Sequence, residues 1–215
     1  MAYSDFTIAD VKSRLGLTLD EGADLFGSVP PRPVSPRLVE RLAEHAPLAG
    51  DISTEKARSE FVVAPILLKV RRLLRPRASL FSGSDFPVEP SLGLFGRCDF
   101  LICRSPEQLS IEAPSAVVVE AKTEDMRAGY PQCAAGMVAC RTFNHRRGKP
   151  LAEISGAVTT GSVWRFLRLR GDLLEIEGIE RHITDLGRII GILCRMVEGG
   201  PSPAAGRHAP AGEAA

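Results

Sequence analysis

Apolar positions along the chain change period several times, and each change predicts an element. Ile8, Val11 and Leu15 recur at helical spacing over residues 7–16, the pattern of a short amphipathic helix. The stretch SVPPRPVSPR (28–37) has no period and reads as an extended connector. Ser35 and Pro36 then suit the N-cap and first position of a helix reaching about His45. A longer helix is expected over residues 53–75, capped by Ser53 or Thr54, with apolar residues at Phe61, Ile66, Leu67, Val70, Leu73 and Leu74. Pro65 should kink or divide it, because proline has no N–H for the helical ladder.

The period then shortens to two. Residues 79–82 and 86–89 read as short strands around a Gly-Ser turn, and RCDFLICR (97–104) and AVVVEAK (116–122) as further strands. Helical spacing returns over 130–143. Residues 154–160 and 163–170 suit a hairpin about Gly161-Ser162, 173–179 another strand, and 183–198 a closing amphipathic helix. The order of helix, strands, helix, strands, helix predicts an α/β domain, a central sheet flanked by helices. Its expected organisation is an N-terminal helical extension with a Pro-rich connector (1–50), the main domain (51–198) and a disordered tail, GGPSPAAGRHAPAGEAA (199–215).

Composition narrows the class only slightly. With 27 basic and 26 acidic residues the net charge is +1, so any polyanion site must be a local patch and not a global field. Five cysteines, an odd number with no CxxC spacing, fit small buried residues in a reducing cytoplasm and not a disulfide framework or zinc ribbon. The N-terminus has no apolar signal-peptide core, and the most apolar window (62–70) contains Pro65 and Lys69 and is too short to span a bilayer.

Candidate chemistry concentrates in VVVEAK. Side chains alternate along a strand, so Val118, Glu120 and Lys122 share one face, with Glu120 and Lys122 roughly 6.6 Å apart along the strand. The run before Glu120 is apolar on both faces, which marks a central strand, where an unpaired charge is costly. Asp99 lies on the preceding strand and can meet Glu120 across the ladder. Two carboxylates and a backbone carbonyl, that of Ala121, form a hard-oxygen donor set suited to Mg²⁺ or Mn²⁺. Lys122 can orient a water or stabilise charge on a phosphoryl group. No Walker A, GxGxxG, HExxH or GxSxG motif competes with this site.

Asp99 in GRCDF and Glu120-Ala121-Lys122 in VVVEAK resemble the signature of the PD-(D/E)XK nuclease superfamily, with Cys98 where the motif has proline. The resemblance implies a restriction-endonuclease-like αβββαβ core and metal-dependent phosphodiester hydrolysis. It also implies a helix glutamate before the first core strand, matched to Glu60, and a glutamine on the helix after the Glu-x-Lys strand, matched to Gln132. AVTTGSVWRFLRL is similar to uncharacterised bacterial members of that fold, and Trp164 and Phe166 in it are expected in the core. The implied metal set is Asp99, Glu120, Ala121 and Glu60, with Lys122 and Gln132 completing the catalytic group. DNA is the expected substrate, with RNA open. Arg71, Arg72 and Arg75, and Arg146 and Arg147, are the expected phosphate contacts, helix-end positions that also complement the macrodipole. A homodimer is compatible with the resemblance. The alternative is a non-catalytic module that keeps the fold and binds nucleic acid or protein.

Overall fold

The computed structural model describes residues 2–199, so the expected tail, apart from Gly199, lies outside the described residues. Thr7 caps the first helix, α1 (Ile8–Ser13), through a reciprocal box with Asp10. Residues 18–23, which carry no clear strand signal, form β1 (Thr18–Ala23) and pair in parallel with a strand from the far end of the chain. The N-terminal region is therefore not purely helical. Next comes α2 (Pro36–Ile52), which runs past the expected end near His45 even though Pro47 lies inside it. Leu38, Leu42 and Ala49 are buried along its inner face, and that burial offsets the hydrogen bond proline removes.

A continuous helical run follows: α3 (Glu55–Arg58), a single π-turn (Ser59–Val63) and α4 (Ala64–Leu73). The expected break at Pro65 becomes this π-turn. Pro65 sits in the first turn of α4, and the wider turn before it, closed by the Ala64 amide on the Ser59 carbonyl, replaces a kink.

The remaining elements are β2 (Ser79–Asp85), β3 (Arg97–Cys103), β4 (Ser115–Ala121), α5 (Gly129–Arg146), β5 (Ile154–Thr159), β6 (Val163–Arg170), β7 (Leu173–Glu177), β8 (Arg181–His182) and α6 (Leu186–Glu198). Residues 79–85 are one strand continuing through Gly83 (φ +60°), not a strand and a turn, and the expected strand at 86–89 keeps only a bridge from Glu89 to Leu94.

The sheet runs β1-β7-β6-β5-β4-β3-β2, with β8 paired to β6. Strands β2, β3 and β4 form an antiparallel meander, α5 crosses over, and β5 returns parallel to β4. The fold is thus mixed α/β with a central mixed sheet flanked by helices. One face is covered by α2, the α3–α4 run and α6, with Val117 and Val119 pointing into it. The other is covered by α5 and residues near the N-terminus, including Tyr3, Phe6 and Val11, with Val118 pointing into it. Trp164 and Phe166 are fully buried, as expected of core residues.

Small residues let α5 lie close to the sheet. A side chain at Gly156 would strike the sulfurs of Met137 and Cys133, and one at Gly136 would press on Val118. Twelve residues of α5 are buried, so it reads as nearly apolar all round. All five cysteines are free and buried.

Candidate active site at the end of the central strand

β4 is buried along its whole length and ends at Ala121, leaving Lys122 just beyond it. Because side chains alternate, Glu120 falls on the α5 face with Val118. Its register against α5 is pinned at both ends. At the start of the strand, the buried Asn144 accepts from the Ser115 amide (2.7 Å) and donates to the Ser115 carbonyl (2.8 Å). At the other end Gln132 Nε2 donates to Glu120 Oε2 (2.8 Å). Twelve helical residues, about 18 Å, match five strand residues, about 17 Å, so the two contacts are geometrically consistent.

From Gln132 the contacts continue. Lys122 Nζ donates to Gln132 Oε1 (2.9 Å) and lies 3.9 Å from Glu55 Oε1, with its side chain only 13% exposed. On the other side, Asp99 Oδ2 accepts from the Ala121 amide (2.8 Å). The β3–β4 ladder stops at Phe100 and Val119, so Asp99 meets β4 through this side-chain bond and not through a paired rung. In an extended strand the N–H and C=O of one residue face the same neighbour, so the Ala121 carbonyl is directed to the Asp99 side.

The electrostatics are strained. Glu120 is 1% exposed. Burial, and then the adjacent Asp99 carboxylate, push its carboxyl well above the usual range, and Lys122 offsets this only in part. A buried carboxylate beside a second one binds either a proton or a cation. Among the described residues, no three His, Cys, Asp or Glu side chains form a ready-made metal cage. The smaller set of Asp99, Glu120 and the Ala121 carbonyl still fits Mg²⁺, which usually takes one or two carboxylates and keeps its waters.

Glu60 is not brought to this cluster. It is exposed, and its carboxylate is paired with Lys56 one turn back at 2.6 Å. Glu55, in the first turn of α3 behind the Thr54 cap, is the helix carboxylate that reaches Lys122, and it also bears on Glu120. Its sequence signal was a cap followed by an acid, a pattern ordinarily assigned to helix stability alone.

Neither expected basic run lies at the strand end. Arg146 and Arg147 close α5 fourteen residues after Gln132, about 21 Å along the axis. Arg146 binds the Val88 carbonyl and Glu89, and Arg147 lies over the Phe143 ring. Arg71 bonds to Gln108 at the other end of the α3–α4 run, where Arg72 and Arg75 are exposed.

Closer to Lys122, a cleft of about 530 Å³ is lined by Arg58, Arg127 and Arg165 and by Glu124, Asp125 and Glu180, among others. Arg58 donates to the Thr160 carbonyl (3.1 Å) and Arg165 to Glu180 (2.7 Å), while the Nε–H of each is buried without a partner among the described residues. Three arginines far apart in sequence gave no run to detect. In comparison with known proteins, no family model matches the chain and no curated protein matches it. No helix among the described residues is long and apolar enough to cross a membrane.

Proposed function

We propose that the chain is a metal-dependent nuclease of the PD-(D/E)XK type, hydrolysing phosphodiester bonds in DNA. The observation that carries this is the contact chain from Asp99 through Glu120 and Gln132 to Lys122, at the end of a buried strand. The element order over residues 55–159 supports it: helix, three antiparallel strands, helix, then a strand parallel to the third.

In this reading Asp99, Glu120 and the Ala121 carbonyl hold Mg²⁺, with Mn²⁺ as a substitute. The ion would supply Lewis-acid stabilisation of charge on phosphate and a water of lowered pKa. Lys122 does the positional work. Gln132 accepts from its ammonium and Glu55 lies beside it, so the charge is held near the attacking water and the phosphoryl oxygen. Gln132 simultaneously fixes the Glu120 carboxylate. The adjacent cleft carries Arg58, Arg127 and Arg165 alongside Glu124, Asp125 and Glu180, so it leaves room beside the scissile bond without adding a net positive charge there.

The test is cleavage of supercoiled plasmid and single-stranded DNA in Mg²⁺, Mn²⁺ or EDTA, with Asp99→Ala alongside. Metal-dependent cutting is expected, lost in EDTA and in the variant. Folded wild-type protein that cuts neither substrate in either metal would overturn the nuclease reading in favour of a binding module that retains the fold. An Asp99→Ala variant as active as the parent would remove the site.

A further inference from the structure

A groove of about 240 Å³ lies between the first turns of α2 and the length of α4 from Pro65 to Arg72. Arg37 and Arg41 from α2 line it together with Lys69 and Arg72 from α4, and no acidic side chain does. None of these four cations makes an ion pair or hydrogen bond among the described residues. Elsewhere the surface pairs its arginines readily: Arg32 with Glu198, Arg97 with Asp85, Arg141 with Asp172 and Arg165 with Glu180. In a chain with 26 acids for 27 bases, four unpaired cations on one groove are a local concentration.

Two further features point to phosphate. Ser35 also lines the groove and precedes α2, yet its hydroxyl makes no capping bond and has no other partner among the described residues. Arg75 extends the basic surface just past the end of α4, with no partner among the described residues, so the charge forms a track and not a point. The groove is smaller than the usual small-molecule pocket of about 300–1,000 Å³, and three of its four cations are exposed, which suits a chain polyanion better than an enclosed metabolite.

Lys69 follows Glu55 by fourteen residues, about 21 Å along the helical run. At about 3.4 Å of duplex axis per phosphate of one strand, this corresponds to roughly six base-pair steps from the strand-end site for a duplex lying along the helical run.

We propose that the α2–α4 groove is an anchoring site for nucleic-acid backbone, distinct from the strand-end site. The inference rests on the reading that the chain handles nucleic acid, and not on catalysis. Arg37, Arg41, Lys69 and Arg72 bind phosphates, and Ser35 donates a hydrogen bond to one of them. Such contacts add affinity without sequence preference and follow the counterion-release law.

The experiment measures binding of a fluorescein-labelled DNA duplex by anisotropy across a salt series, in EDTA so that nothing is cut. Arg41→Ala/Arg72→Ala is compared with wild type and with Lys12→Ala/Arg97→Ala, which removes two exposed charges elsewhere. Each lost phosphate contact lowers the slope of log K against log salt by about 0.9, so the groove variant should fall by about 1.8 and bind roughly tenfold more weakly at moderate salt. Arg41→Lys/Arg72→Lys should restore the slope, and circular dichroism should show all variants folded. An unchanged slope in the groove variant, or an equal loss in the control, overturns the proposal. So does wild type that binds tripolyphosphate but not the duplex, or neither. Wild type that binds DNA through the groove yet never cuts it keeps this site and removes the nuclease reading. Wild type that cuts while its groove variant binds unchanged does the reverse.

Discussion

Glu120 and Glu175 are both buried carboxylates on strands of one sheet, and they are treated in opposite ways. Glu175 on β7 is gripped by Arg168 of β6 through two bonds, Nε at 2.7 Å and Nη2 at 2.9 Å, with Arg170 adding a third at 3.2 Å. Burial alone would raise its carboxyl, but the arginines outweigh burial and hold it below the usual range. Glu120 on β4 has a second carboxylate as its neighbour, a neutral glutamine as its hydrogen-bond donor, and its nearest cation engaged with that same glutamine. The first arrangement is electrostatically complete within the protein. The second is complete only with a proton or a cation from outside. That contrast separates a structural ion pair from a candidate site more sharply than solvent exposure does, because exposure is only a few per cent in both, although Glu120 lies the deeper of the two.

The largest effect that can break the comparison is on stability. Glu175→Gln leaves the Arg168 guanidinium buried with only a neutral partner and should cost about 3 kcal/mol or more. Glu120→Gln should stabilise the metal-free protein at neutral pH, since it removes a buried carboxyl whose charged form Lys122 offsets only in part. Urea denaturation of both variants and wild type in EDTA measures this. Equal destabilisation by the two substitutions would show that Glu120 is a structural ion-pair member like Glu175.

pH sharpens the same point. Glu120 has a raised folded value, so its contribution to stability is complete below its ordinary value of 4.5 and is lost as pH rises through the raised value. Glu175 has a lowered folded value, so its contribution is present above 4.5 and is lost as pH falls through the lowered one. Calorimetric Tm should therefore decline from mildly acidic to alkaline pH more steeply in wild type than in Glu120→Gln. Millimolar Mg²⁺ should recover part of the alkaline loss in wild type and none in the variant. A decline of the same steepness in both proteins would mean that Glu120 carries no such strain.

Much of the site is legible in the sequence, and the reason is local. A charged pair at the end of an apolar strand announces itself within seven residues, and Gln132 lies on the very next helix. β3, β4 and α5 are legible because each is a long apolar run bounded by turn residues, whereas β2 is legible only in part, its Gly83-Ser84 pair having the look of a turn. What escapes is whatever depends on partners distant in the chain. β1 is mostly exposed and becomes a strand only because β7 offers an edge. The π-turn at Ser59–Val63 shifts the phase of the helical run, and a uniform helical period cannot register it. The Arg58, Arg127 and Arg165 cleft and the α2–α4 groove likewise join segments that are remote in sequence.

The smallest effect concerns the helix carboxylate that bears on Glu120. Lys56–Glu60 is a solvent-exposed i,i+4 pair, the kind that contributes about 0.5 kcal/mol or less. Glu60→Gln should therefore leave stability and cleavage nearly as they are. Glu55 stands beside Lys122, and its charge adds to the negative potential at Glu120. Glu55→Gln removes one of the ammonium's two neighbours and should lower the cleavage rate by roughly tenfold, the scale of one positioning interaction of about 1.4 kcal/mol. Rates measured over a Mg²⁺ titration assign the loss. A higher metal requirement places Glu55 among the groups that set the potential at the metal, and an unchanged requirement with a lower maximal rate places it on Lys122. If Glu60→Gln is the damaging substitution and Glu55→Gln the silent one, the phase of the helical run across its π-turn differs from the one described, and the two glutamates exchange roles.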